Sequence, residues 1–100
     1  MPSLKVQVTR IVDHSYPIWV ECIFTDAKGK EHTIHEKVPV ISAENISEIE
    51  LPMSKQIDCL VEDQWRDKKG ISISRIKFPW SIESIEGMTS FEILSENLEK

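Results

Sequence analysis

Three histidines, two cysteines and two closely spaced glutamates are the side chains of this 100-residue sequence best equipped to ligate, attack or transfer a proton. His32 and His35 have the spacing of a metal pair, but on a strand positions three apart point to opposite faces. A zinc site would also need further ligands in matching geometry. The spacing therefore predicts two polar strand residues, one of them pairing with Glu31 or Glu36, and no metal. Cys22 and Cys59 each sit inside an apolar alternation, Val20-x-Cys22-x-Phe24 and Ile57-x-Cys59-x-Val61. Nothing basic flanks either to lower its pKa, so both are expected to be buried thiols packing as small hydrophobes. A catalytic thiol and a bridge between two strands are the alternatives. Glu83 and Glu86 could do general acid–base work only inside a cleft that shifts one of them. Their polar segment predicts a solvated face instead. No serine lies in a Gly-x-Ser-x-Gly elbow, and the three glycines, all in turn-like settings, form no phosphate-cradling loop. The domain thus reads as non-catalytic, with no cofactor.

Charge carries the clearest functional signal. The chain has 12 basic and 17 acidic side chains, net -5, which disfavours a general nucleic-acid binder. The distribution is uneven: residues 42–65 are net -5, residues 66–77 net +4 and residues 78–100 net -4. Arg66, Lys68, Lys69, Arg75 and Lys77 make one hairpin basic on an acidic body. Such a hairpin, with a stacking aromatic beside it, can bind single-stranded nucleic acid or an acidic partner. The plain alternative is a solvated turn whose lysines guard a sheet edge. Among the aromatics, Trp19 lies opposite Val20, Cys22 and Phe24. If its face is uncovered, Trp19 and Ile23 make an apolar patch for a protein partner, with Trp80 as a further candidate.

The elements that position these residues follow a period of two. Residues 4–12 set Leu4, Val6, Val8 and Val12 against Lys5, Gln7 and Thr9. Residues 18–25 carry apolar groups on both faces, which predicts a central strand covered on both sides. Asp26-Ala27-Lys28-Gly29-Lys30 is a turn, and residues 31–38 return with Ile34 and Val38 inward. Pro39 closes that strand. Ser42 as N-cap with Glu44 predicts one short helical turn near residues 42–48. Residues 56–66 read as one strand with Ile57, Cys59, Val61 and Trp65 on one face. Asp67-Lys68-Lys69-Gly70 repeats the Asp-x-x-Gly turn. Residues 71–78 change inward face between Ile73 and Ile76, which predicts a bulge near Ser74-Arg75. Residues 81–88 are a loop or short strand, and Thr89 to Leu94 a last strand.

No long amphipathic helix is available to cover an open sheet. The expected fold is therefore mainly β, a small five- or six-stranded antiparallel barrel, OB-like or SH3-like. One domain is expected over residues 1–94, with a polar tail over 95–100. No signal peptide or membrane span is expected, and the location is expected to be cytoplasmic. The polar strand over 31–38, as an edge, could pair in a homo-oligomer.

The segments Trp19-Val20-Glu21-Cys22-Ile23-Phe24-Thr25-Asp26-Ala27-x-Gly29, Glu36-Lys37-Val38-Pro39-Val40 and Pro79-Trp80-Ser81-Ile82-Glu83-Ser84-Ile85-Glu86-Gly87 resemble short bacterial proteins of unassigned function. The resemblance implies a stand-alone small protein and no mechanism. Two functions are expected from the sequence: a non-catalytic protein-interaction domain using Trp19, Ile23 and Trp80, or an OB-like binder of single-stranded nucleic acid using the basic hairpin. A small hydrolase or transferase using Glu83 or Glu86 is the third reading.

Overall fold

In the computed structural model, which describes residues 1–99, the period-two segments are antiparallel strands in two sheets. The first sheet has the order β3-β2-β1-β4, with β1 spanning Ser3–Asp13, β2 Trp19–Thr25, β3 Glu31–Lys37 and β4 Met53–Asp58. A short strand, β8 (Leu98–Glu99), pairs with Ser3 and Leu4 of β1. The second sheet has the order β5-β6-β7, with β5 Leu60–Arg66, β6 Ser72–Lys77 and β7 Ser90–Leu94. The mainly β, antiparallel expectation holds. Among the described residues the strands pair as two sheets, and no ladder closes them into a barrel. Of the tail expected over 95–100, residues 95–97 form a 3-10 turn that leads into β8, and residue 100 lies outside the described residues.

Alternation supplies the core. Leu4, Val6 and Val8 of β1 are buried together with Val20, Cys22 and Phe24 of β2, Ile34 of β3 and Ile57 of β4. The second sheet contributes Ile76, Phe91 and Ile93, with Phe78 just beyond β6. Each such side chain contributes roughly 1.5–3 kcal/mol by leaving water. Aromatic rings join the sheets: Phe24 meets Phe91 edge-on at 5.1 Å between centroids and Phe78 at 5.8 Å. Beyond Val8 the β1–β2 register shifts, so Ile11, not Val12, packs against the core. β2 is an interior strand, as expected, but its second face is only half-buried at Trp19, Glu21 and Ile23.

The strand expected over 56–66 is two strands. The chain bends at buried Cys59, whose N–H donates to the carbonyl of Pro2 at 2.9 Å, and passes from one sheet to the other. The bulge lies on β5, between Val61 and Asp63, and not on β6, which pairs with β7 without interruption. The extra residue reverses the faces beyond it. Gln64 thus shares the inner face with Ser74, and Trp65 turns outward opposite Ile73. Ser72 and Ser74 take the inner positions where an apolar pair was expected, and Ser74 is fully buried.

The helical turn expected over 42–48 is displaced. Helix α1 covers Val38–Ile41, with a proline in its first turn, where a missing N–H costs nothing. Ser42 ends it, donating its N–H to Val38, and a 3-10 turn follows at Glu48–Glu50. Residues 78–89 form a loop between β6 and β7, pinned to the outer side of β3 by the Ile85 N–H donating to the Thr33 carbonyl at 2.9 Å.

Candidate interaction surface

The groups with reactive chemistry are held in quiet settings. Both thiols are free and buried. Burial, with the charges of Glu36 and Glu21 behind it, pushes Cys22 up to about 12; burial and Asp58 push Cys59 up to about 11. Neither is a thiolate at neutral pH. Glu83 and Glu86 are exposed, with Glu86 3.3 Å from the Lys30 ammonium, so no cleft encloses the pair. The described residues contain no group of three or more His, Cys, Asp or Glu able to hold a metal.

The histidines separate as strand geometry requires, but onto other partners than Glu31 and Glu36. His35 lies on the outer face, 3.4 Å from the Glu21 carboxylate. That carboxylate also accepts from Thr9 at 2.8 Å and Arg10 at 3.0 Å, and these bonds hold it below its usual range against the opposing effect of burial. His14 meets Glu48 at 2.7 Å on the surface. His32 is buried, 1% exposed, between Phe24 and Phe91. Its Nε2 donates to Asp26 at 2.8 Å, and its Nδ1 has no partner among the described residues. The alternation that sets His32 on the side of Ile34 was the signal for its burial.

The five candidate cations do not form one patch. Arg75 and Lys77 lie on the outer face of β6 and are matched by β5 acids. Arg75 is 4.0 Å from Glu62 and 3.8 Å from Asp63, and Lys77 is 3.9 Å from Glu62. The bulge brings both acids to that face. Arg66 donates to the Gly70 carbonyl at 2.8 Å, which fixes it on the turn. Lys68 and Lys69 stand exposed at the tip.

The three candidate apolar residues are also separated. Trp19 is half-buried, with the Lys37 ammonium 5.2 Å from its ring centroid. Ile23 lines a groove of about 370 Å³ together with polar residues that include Lys5, Gln7 and Gln56. Trp80 is 72% exposed and lines a different groove of about 450 Å³ with Leu60, Phe78, Ile82 and Thr89. Trp80 and Ser81 have φ of 61° and 58°. That conformation is an outlier for a bulky side chain.

Sequence reasoning placed a strand over 56–66 but missed that its second part, β5, is a separate edge strand beside this groove. Among the described residues β5 pairs only with β6, and every residue of it except Trp65 is exposed. No second strand among the described residues pairs with its outer row of backbone N–H and C=O groups, where the Gln64 N–H donates to Asp63 Oδ1 at 2.9 Å. The sequence signal was the low apolar content of residues 60–66 after Val61. A wider cleft of about 660 Å³ lies on the inner side of β5, where Gln64, Ser72, Ser74 and Ser95 are linked by hydrogen bonds of 2.7–2.9 Å. No family model matches the chain, and neither does any curated protein or solved structure.

Proposed function

We propose that this protein is a non-catalytic interaction domain that receives an apolar side chain of another protein in the groove between Trp80 and Leu60. One observation carries the reading. A tryptophan is held in the left-handed region, at a cost of about 1–2 kcal/mol, and yet stays 72% exposed, so little burial offsets that cost. Leu60, 39% exposed, supplies the facing apolar wall. The interaction surface is thus centred on Trp80, with Trp19 and Ile23 outside it. We read the two sheets, joined through the bend at Cys59, as a partly open relative of the small OB-like or SH3-like barrel. The second reading, binding of single-stranded nucleic acid, draws on Arg66, Lys68 and Lys69 at the hairpin tip, beside half-buried Trp65; exposed Trp80 lies at the opposite end of β5.

The test is a photocrosslinking amino acid placed at position 60 in living cells, with position 55 on β4 as control. One specific protein should be captured from position 60 and lost in Trp80→Gly. That variant should fold at least as well as the parent, because glycine accepts this φ without strain. Identical capture from both positions, or capture indifferent to Trp80→Gly, sinks the reading. Destabilisation of Trp80→Gly by more than about 1 kcal/mol would mean that Trp80 supports the fold.

A further inference from the structure

The chemistry of the partner is written along β5. The strand is an open edge of seven residues, about 23 Å long at the usual rise. At its start lies the apolar groove of Trp80 and Leu60. At its end the turn presents Lys68 and Lys69 beside Arg66, while Asp67, the acid among them, is occupied in accepting the N–H groups of Lys69 and Ile71 at 2.8 and 2.9 Å. Between the two ends, Glu62 and Asp63 are already matched by Arg75 and Lys77. Unmatched positive charge is therefore concentrated at one end and the apolar groove lies at the other, with Ile71, 44% exposed, the apolar side chain beside the tip.

Resting on the docking role of the Trp80 groove, we propose that the partner is an extended segment of another protein added as a strand to β5, acidic at its N-terminal end and apolar at its C-terminal end. The second sheet is antiparallel throughout, and an added antiparallel strand continues it. That direction places the N-terminus of the segment over Arg66, Lys68 and Lys69 and its C-terminus over Leu60 and Trp80. Roughly six residues separate the acidic end from the apolar anchor. Beyond the bulge at Glu62, Asp63–Arg66 keep a regular register, and an added strand would displace the Asp63 carboxylate from the Gln64 N–H, 2.9 Å away, to complete the main-chain bonds. A second copy of this chain does not fit. Two β5 strands paired about a two-fold axis would set each basic tip over the other's apolar groove. A nucleic acid strand fits less well, because it cannot pair with the main-chain N–H and C=O groups of β5.

Fluorescence anisotropy with synthetic peptides tests this on the whole chain. The probe carries two aspartates, then alternating threonine and valine, then two leucines. It should bind about tenfold more tightly than the same peptide with lysines for aspartates, and Lys68→Glu/Lys69→Glu should reverse that preference. Methylating alternate backbone nitrogens of the probe, one set and then the other, should abolish binding for one set only. The inference is overturned if no peptide binds, if the charge reversal leaves the preference unchanged, or if both methylated sets bind like the parent. An oligothymidylate that binds more tightly than the probe and is lost in Lys68→Glu/Lys69→Glu also overturns it. If Trp80→Gly weakens every peptide while the charge reversal is silent, the docking role stands and this inference alone falls. If Trp80→Gly changes nothing while charge and methylation act as expected, the strand addition stands without the groove.

Discussion

The two hairpin turns, at Asp26 and at Asp67, are the same object in different surroundings. In each, the aspartate N–H donates to the carbonyl four residues on, Lys30 or Ile71, at 2.8 and 3.0 Å. In each, the glycine N–H, of Gly29 or Gly70, returns to the aspartate carbonyl at 3.0 Å, and the Oδ1 accepts two further N–H groups. The glycines have φ of 85° and 80°. Ser84 builds a third copy, its hydroxyl accepting the Met88 N–H at 3.1 Å. The first turn is then tied into the body. Asp26 accepts from buried His32, and the Ala27 N–H donates to the Glu92 carbonyl of β7 at 2.8 Å. Among the described residues the second turn has only the Arg66 side chain across it, donating to the Gly70 carbonyl at 2.8 Å. Turn chemistry is local, but what a turn can do is set by what packs on it.

Substitution of the aspartates should separate the two turns most widely. Asp26→Ala strips the turn of its acceptor and also leaves the buried Nε2 of His32 unpaired, which should cost about 3 kcal/mol. Asp67→Ala loses only the exposed acceptor, at about 1 kcal/mol. Urea denaturation measures both, and equal losses would break the comparison.

Acid should then act through the first turn. Burial works to raise the Asp26 carboxyl, but the His32 bond and the N–H groups of Lys30 and Lys28 outweigh it and hold it below its ordinary value of 3.8. A carboxyl lowered in the fold contributes stability that is fully present above its unfolded value and lost as pH falls through its folded one. The advantage of wild type over Asp26→Asn should therefore be constant at neutral pH and shrink below about pH 4. An advantage unchanged down to pH 3 contradicts it.

Where the turns are alike, the effects should be alike. Apart from the chain neighbours, no atom of the described residues lies within 4 Å of a Cβ built on Gly29 or Gly70, so alanine costs only the positive φ, about 1 kcal/mol in each. A clear excess at Gly29 would show that its neighbours constrain it as well. The smallest effect belongs to Lys68→Gln and Lys69→Gln, both within about 0.5 kcal/mol of wild type because these side chains are exposed and make no ion pair among the described contacts. A larger loss would tie the tip to folding.

Much of the fold was legible because alternation and turn residues are local signals. Leu4, Val6, Val8 against Lys5 and Gln7, and the two Asp-x-x-Gly turns, needed no partner to be read. The candidate site was legible only in pieces. Trp80 stood out by type, but its exposure depends on the loop that carries it. The basic run was plain in sequence, yet Arg75 and Lys77 are matched by Glu62 and Asp63, more than ten residues away along the chain. The change of inward face in residues 71–78 suggested a bulge on that strand, whereas Ser72 and Ser74 keep the inner face and the bulge sits on β5.

The sequence alone determined the mainly β class, the strand-turn-strand order and the burial of Cys22 and Cys59, because a two-residue period and a left-handed turn are properties of short segments. Only the tertiary structure decided which turn is buried, where the chain bends between sheets at Cys59, which cations remain free and which edge stays open. Those are properties of register and of cross-strand neighbours, and a one-residue bulge on β5 is enough to redirect every side chain beyond it.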